Sequence, residues 1–440
     1  MVGFALRIGL VAVAWAISRN PQIFTSGDTG GYVALAHALA QSGRFAQAGI
    51  PEMSRTPGYP LFMAPGAWLG HLTLITLALQ LVLGVASIAM IYWLTFDAFG
   101  DRKAAVIASL LYALEPLSIL YGAKLLSETL FSTLVIASAW LGIRYLREFS
   151  LRPLALGALC LAMATFTRPI TEVLPFALAG LGALWAMRKG VPTRRWLLHA
   201  MAFVLLAEAP LGLWVLRNHV EGGYNGFSTI TDDDLYFYKG AAVTAAVTHR
   251  GYYDVQNALG YRSRAVYFKA HPEQRGWSQA RIAEFEGQQG LRVLLAHPLA
   301  YLKIHVTGWI RMTLDTGAAT LLKLVGAYPL SGGGLLGYFV DHGPLKAAEL
   351  ILKEYPWLFA SSLALAAMLL FTVALAALGL IRHDRSVRGA VLLLVAIAGY
   401  LFALSGGPES EGRFRQPIMP FVCVMAGLGA ARWRSLAPKS

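Results

Sequence analysis

The feature that most constrains this chain is the recurrence of long apolar runs that carry no charge. Leu72–Phe96 and Trp357–Ile381 each run 25 residues without an Asp, Glu, Lys or Arg. Such runs exceed the roughly 20 residues a helix needs to cross a bilayer. Only 14% of the 440 residues are charged, against about a quarter in soluble domains. With a mean hydropathy of +0.54, the chain cannot cover itself with a water-facing surface. A soluble enzyme, a disordered chain and a disulfide scaffold are excluded. Cys160 and Cys423 lie inside apolar runs and act there as small hydrophobes.

The expected fold is all-α and polytopic, one membrane domain over residues 1–440. Ten runs are clear: Val2–Ser18, Leu72–Phe96, Ala104–Gly122, Leu125–Gly142, Pro153–Thr167, Val173–Met187, Trp196–Leu216, Trp357–Ile381, Gly389–Gly407 and Gln416–Ala431. Leu299–Leu314 and Ala318–Phe339 are weaker, so 10 to 12 membrane helices are expected. The first run lacks a strong basic flank and a cleavage site, and reads as an uncleaved helix.

The net charge of +13 comes from short loops, where basic residues set orientation rather than bind nucleic acid. Arg102, Lys103, Arg144, Arg147, Arg152, Arg188, Lys189, Arg194 and Arg195 share one face. Arg382, Arg385, Arg388, Arg432, Arg434 and Lys439 join them if the amino terminus is cytoplasmic. The opposite face then holds the loop 19–60, the Glu115–Lys124 and Arg168–Glu172 turns, the segment 217–297 and the loop 407–415. Nearly all the unusual chemistry lies there.

In the first external loop, Asp28 precedes a helix whose residues Tyr32, Leu35, Ala36 and Leu39 share one apolar face, suited to the membrane surface. Asp28 reads either as the cap of that helix or as a reactive carboxylate. Arg55 is an interfacial charge or a fixed cation for a lipid phosphate. Glu128 lies just inside an apolar run, where a carboxylate needs a partner or a wet cavity. Lys124, four residues earlier, is one partner within reach. Asp232, Asp233 and Asp234 lack a spaced metal-ligand pattern and read as a solvated loop. No histidine spacing, P-loop, dinucleotide fingerprint or nucleophile elbow occurs. Neither a metal nor another cofactor is expected.

The order of these features resembles the GT-C superfamily of integral-membrane glycosyltransferases. The nearest type is the family-39-like group of protein O-mannosyltransferases and the lipid A aminoarabinose transferase. The likeness rests on Asp28 and Tyr32, then Arg55-Thr56-Pro57-Gly58-Tyr59-Pro60, then Pro116 through Ser127-Glu128, then Arg168-Pro169. It continues in Trp214-x-x-Arg217-Asn218, His297-Pro298-x-x-Tyr301 and Glu411-Gly412-Arg413-Phe414 with Pro417 and Pro420. The chain departs from larger members in lacking an extended soluble carboxy-terminal domain.

The resemblance implies an inverting transfer of a sugar from a polyprenyl-phosphate donor to a lipid, glycan or protein acceptor. It implies Asp28 as the catalytic base, with Arg55, Arg217 and Arg413 on the donor phosphate. Tyr32, Tyr59, Lys124, Glu128, Arg168, Asn218 and Glu411 are the remaining substrate-cavity candidates. The expected location is a bacterial inner membrane, among membrane lipids, with the site facing the periplasm. The competing readings are a secondary transporter or lipid flippase, for which Glu128, Glu208 and His199 are the intramembrane candidates, and a membrane polysaccharide polymerase or ligase.

Overall fold

The computed structural model describes residues 1–328 and 344–433. Each apolar run becomes a helix because a backbone in lipid must satisfy its own hydrogen bonds. α1 is Val2–Ser18, and the first external loop carries α2 (Thr29–Ser42), a two-residue β-hairpin pairing Ala46 with Pro51, and α3 (Gly58–Trp68). α4 is Leu72–Phe99, α5 Arg102–Ala113, α6 Pro116–Gly122, α7 Glu128–Glu148, α8 Leu151–Thr167, α9 Leu174–Arg188 and α10 Thr193–Gly222. The external segment folds into α11 (Ile230–Asp233), a π-helical turn Asp234–Gly240, α12 (Ala241–Thr248), α13 (Tyr252–Ala258), α14 (Arg264–Ala270) and α15 (Gln279–Ala296). The remaining helices are α16 (Pro298–Leu314), α17 (Ala318–Leu324), α18 (Pro344–Glu354), α19 (Pro356–Ile381), α20 (Arg388–Leu404), α21 (Gly412–Arg415) and α22 (Met419–Arg432).

Among the described residues, six helices are long and apolar enough to cross a membrane; α5 and α6 form one bent span and α1, α8 and α22 are shorter apolar helices. These six, the bent pair and the three shorter helices match the ten clear runs one for one. The all-α polytopic membrane fold is borne out. The second half of the weak segment Ala318–Phe339, from residue 329, lies outside the described residues, as do Arg434 and Lys439 of the basic tail.

The expected run Ala104–Gly122 is broken by 52° between α5 and α6. Pro116 cannot donate to the helix ladder and forces Glu115 to extended geometry. Glu115 then caps α6, its Oε2 accepting from Ser118 N at 2.5 Å. α3 is a separate short helix leading from the first external loop into α4, outside the ten apolar runs. It changes the account of α2: Leu35 and Ala36 are fully buried, and Ala36 packs on Tyr59 and Met63 of α3. The apolar face expected to rest on lipid is covered by protein.

The largest core joins α4, α5, α7, α19, α20 and α22 through residues such as Ile91, Phe131, Ile136, Leu394 and Phe421. Small residues let these helices approach, as is usual in lipid. A Cβ on Gly427 would meet the Ala104 carbonyl and Ala108; one on Gly429 would meet the backbone of α19.

Candidate active site

A polar cavity of about 1050 Å³ opens between the first external loop, the ends of α7, α8 and α9, the 230–240 segment and the 405–414 segment. Asp28 lies in its wall. Its side chain makes no cap bond to α2, so the capping reading fails. Oδ1 instead accepts from Arg55 at 3.3 Å and Oδ2 from Arg413 at 2.8 Å. Burial pushes the Asp28 carboxyl up, but the Arg413 and Arg55 charges outweigh it and hold the group below its ordinary value.

Local structure fixes each partner. Lys124 Nζ donates to the carbonyls of Ile23 (2.8 Å) and Thr25, and Thr29 Oγ1 donates to Leu125 O, which docks the Asp28 loop on the segment before α7. The Arg55 backbone is held by Glu52 Oε1, and its guanidinium lies 4.6 Å from the Tyr32 ring centre. The Arg55 side chain crosses α2 at Gly31, where a Cβ would collide with it. Arg413 also pairs with Glu411 at 2.8 Å.

Glu128, 1% exposed, forms the second carboxylate of the wall. Its partner is Arg168 at 2.8 Å, not Lys124. Glu128 Oε2 has no hydrogen-bond partner among the described residues. Asp28, Arg55, Arg413, Tyr32, Glu128 and Arg168 thus meet in one cavity, although up to 385 residues separate them.

Five expected residues stand elsewhere. Arg217 donates to Phe45 O (2.7 Å) and Glu52 O (2.6 Å) and pairs with Glu221, so it fastens the first external loop to α10. Asn218 Nδ2 bonds Gly226 O and Phe227 O at 3.0 Å each, and closes the turn after α10. Tyr59 is buried and donates to Gln80 at 2.7 Å. Lys124 reaches carbonyls, as above. Glu411 stands behind Arg413, with its side chain half exposed. Of the intramembrane candidates, His199 bonds Tyr145, and neither it nor Glu208 lines this cavity.

The reading of 232–234 as a solvated loop is corrected. Tyr224 donates to Asp232 at 2.7 Å, Asp234 pairs with Lys239 at 2.5 Å, and all three aspartates are half-buried. Asp233 faces Glu286 and Arg264; burial raises both carboxyls, the Asp233 charge raises Glu286 further, and a hydrogen bond from Glu286 lowers Asp233. Asp234, Lys239 and Glu409 form a further cluster, where burial and the Asp234 charge raise Glu409. Sequence reasoning missed Lys239, Glu409, Tyr238, Tyr261, Arg262 and Arg264 as cavity residues. For those in 217–297 the signal was the length of the external segment, and for Glu409 its place in the 407–415 loop. Among the described residues, no group of three His, Cys, Asp or Glu side chains is arranged to hold a metal ion.

Residues 54–214 match the family described as dolichyl-phosphate-mannose-protein mannosyltransferase. No curated protein matches the sequence. Three solved structures are similar across almost the whole chain. The archaeal oligosaccharyltransferase AglB from Archaeoglobus fulgidus, solved with an inhibitory peptide and a dolichol-phosphate, is 13% identical, with 99% of this chain and 51% of that chain covered and a TM-score of 0.49. ArnT from Cupriavidus metallidurans, bound to undecaprenyl phosphate, is 12% identical, covering 98% and 78%, with a TM-score of 0.39. The arabinosyltransferase EmbB from Mycobacterium smegmatis is 16% identical, covering 99% and 41%, with a TM-score of 0.33. The chain thus spans about half the length of AglB. The matched stretch holds Arg55 to Pro60, Ser127-Glu128, Arg168-Pro169 and Trp214, and bears out the resemblance to GT-C membrane glycosyltransferases.

Proposed function

We propose that this chain moves a sugar from a polyprenyl-phosphate donor to an acceptor hydroxyl, with inversion, at the non-cytoplasmic end of its membrane helices. The observation that carries the reading is Asp28: a carboxylate in the wall of a large polar cavity, with an arginine on each oxygen. The matched family's description, a lipid-phosphate sugar donor, supports the substrate class.

In this reading the acceptor oxygen bonds to the anomeric carbon as the bond from that carbon to the phosphate oxygen breaks. The electron pair leaves on the lipid phosphate, and the acceptor proton passes to Asp28. A carboxylate held below its ordinary pKa is ionised at neutral pH, ready to orient the hydroxyl and take the proton late. The phosphate gains charge at the transition state and needs fixed cations. Arg55 and Arg413 supply them, shared between Asp28 and the leaving group. The basic loops on the other face support a bacterial inner-membrane orientation with the cavity outside.

Purified protein incubated with radiolabelled polyprenyl-phosphate sugars and a membrane extract tests the proposal. Asp28→Asn is expected to lower transfer by about 10²–10⁴-fold, the usual contribution of a positioned base. Transfer by that variant at the wild-type rate rejects Asp28 as the base. Donor uptake into vesicles without chemical change replaces the reading with transport.

A further inference from the structure

No residue of α16 lines the cavity, yet one face of this helix is committed to the segment that carries Arg413. Trp309 Nε1 donates to Phe402 O at 2.9 Å, and Arg311 donates to Pro408 O at 2.7 Å. Between them Gly308 lies so close to the Gly407 backbone that a Cβ would collide with it. His305, whose Nε2 lies 2.8 Å from Ala403 O, stands with Gly308 and Trp309 at i, i+3 and i+4, so one face of α16 supports the 402–407 stretch, and Arg311 reaches Pro408 beside it.

The contact tightens where α16 ends. Asp315 Oδ2 accepts from Gly412 N at 2.6 Å, while Oδ1 accepts from Gly317 N at 2.9 Å. A side chain at 412 would come within 2.9 Å of Asp315 Oδ2, so this approach requires glycine. From the other side of the turn, Arg415 donates to Met312 O (2.8 Å) and Thr313 O (2.6 Å). The turn Gly412–Arg415 is therefore held at both ends by the last turn of α16, and Arg413 is the residue it projects onto Asp28. The bond to Gly317 is local and serves the chain reversal after α16. The bond to Gly412 crosses 97 residues and does nothing for that reversal.

We propose that Asp315 is a positioning residue for Arg413, and that α16 holds the cation that meets the donor phosphate. The phosphate half of this statement rests on the function proposed above; the positioning half does not.

The test uses the full chain in detergent, with undecaprenyl phosphate as probe, in wild type, D315A, R413A and the double variant. Hydrogen exchange of peptides covering 408–416 is read alongside. D315A is expected to speed exchange at Gly412 and to weaken probe binding on the order of tenfold, the scale of one hydrogen bond to a charged group. The double variant should bind no worse than R413A alone. D315N, whose carbonyl still accepts the Gly412 amide, should recover most of the binding, which a mere loss of charge would not allow; it also serves if D315A does not fold. Two results overturn the positioning role: unchanged exchange at Gly412 in D315A, or the same loss of binding in the R413A background as in wild type. A wild-type chain that fails to bind the probe overturns the donor reading instead, and exchange alone then decides the positioning.

Discussion

Removing Arg168 should harm the protein more than removing the charge it neutralises. Glu128 is 1% exposed, and among the described residues its one hydrogen bond from a side chain comes from Arg168 at 2.8 Å, while Oε2 has no partner. The Arg168 guanidinium sits 5.8 Å from the Phe131 ring centre and 5.3 Å from that of Phe414, with 18% of its side chain exposed. Arg168→Ala leaves a buried carboxylate without its hydrogen-bonded cation, with Arg413 the remaining positive charge that acts on it, and breaking a buried pair from one side costs about 3–5 kcal/mol. Glu128→Gln keeps an amide oxygen for Arg168, whose freed charge still reaches the cavity water, and costs about 1–2 kcal/mol. The double variant Arg168→Met with Glu128→Gln buries no unpaired charge and should fall close to Glu128→Gln alone. Melting followed by tryptophan fluorescence in detergent reads the order. Extending the size dependence to this length gives about 1–2 °C per kcal/mol, so Arg168→Ala should melt about 3–10 °C below wild type. The double variant should recover most of that loss. If Arg168→Ala melts at or above Glu128→Gln, the carboxylate is not what Arg168 stabilises and the reasoning fails.

Other consequences concern the loops around the cavity. Arg217→Ala frees the Phe45 and Glu52 carbonyls, and Glu52 in turn holds the Arg55 backbone; limited proteolysis within 44–56 should quicken while the rest of the chain stays resistant. Gly58→Ala would place a Cβ 2.7–2.8 Å from the Phe166 and Thr167 backbone, so melting should report a loss of about 1–3 kcal/mol as α3 shifts from α8. Burial and the Asp233 charge push Glu286 up to about 7, so the folded state holds a proton that the unfolded chain releases near pH 4.3. Stability from this group therefore falls as pH rises from about 4 to 7. Amide exchange in the 223–297 segment should be slower at pH 5.5 than at pH 8 after correction for intrinsic rates, and Glu286→Gln should flatten the difference.

The helices were legible because a 20-residue apolar run has one stable outcome in lipid. The α5–α6 break was legible in principle, since Pro116 stands in the run, but composition alone does not say whether a proline bends or ends a span. For the external loops the limit is different. An arginine facing a cavity and an arginine tied to a loop carbonyl carry the same letter in similar surroundings. Arg217 and Arg413 were read alike; the structure gives Arg217 two carbonyls of the first external loop and Arg413 the Asp28 carboxylate. What separates them is contact across 172 residues in one case and 385 in the other, and no local pattern encodes that.

That difference in partner sorts the arginines by what they can do. Arg7, Arg217 and Arg415 each donate to backbone carbonyls, and each ties two segments together. Arg55, Arg168 and Arg413 face carboxylates and line the cavity. The lining holds six carboxyl side chains (Asp28, Glu128, Glu172, Asp233, Asp234 and Glu409) against six cations (Arg55, Arg168, Lys239, Arg262, Arg264 and Arg413), a formal charge of zero. Of these cations, only Arg262 has no carboxylate partner among the described residues. A cavity of zero formal charge with all but one of its cations paired would hold a lipid phosphate poorly. Burial raises Asp233 and Glu409, so protonation of these two carboxyls tips the balance towards positive without moving a side chain. An anion entering the cavity then finds Arg264 and Lys239 with less negative charge beside them. Its binding should take up protons, which calorimetry in buffers of different ionisation enthalpy would measure.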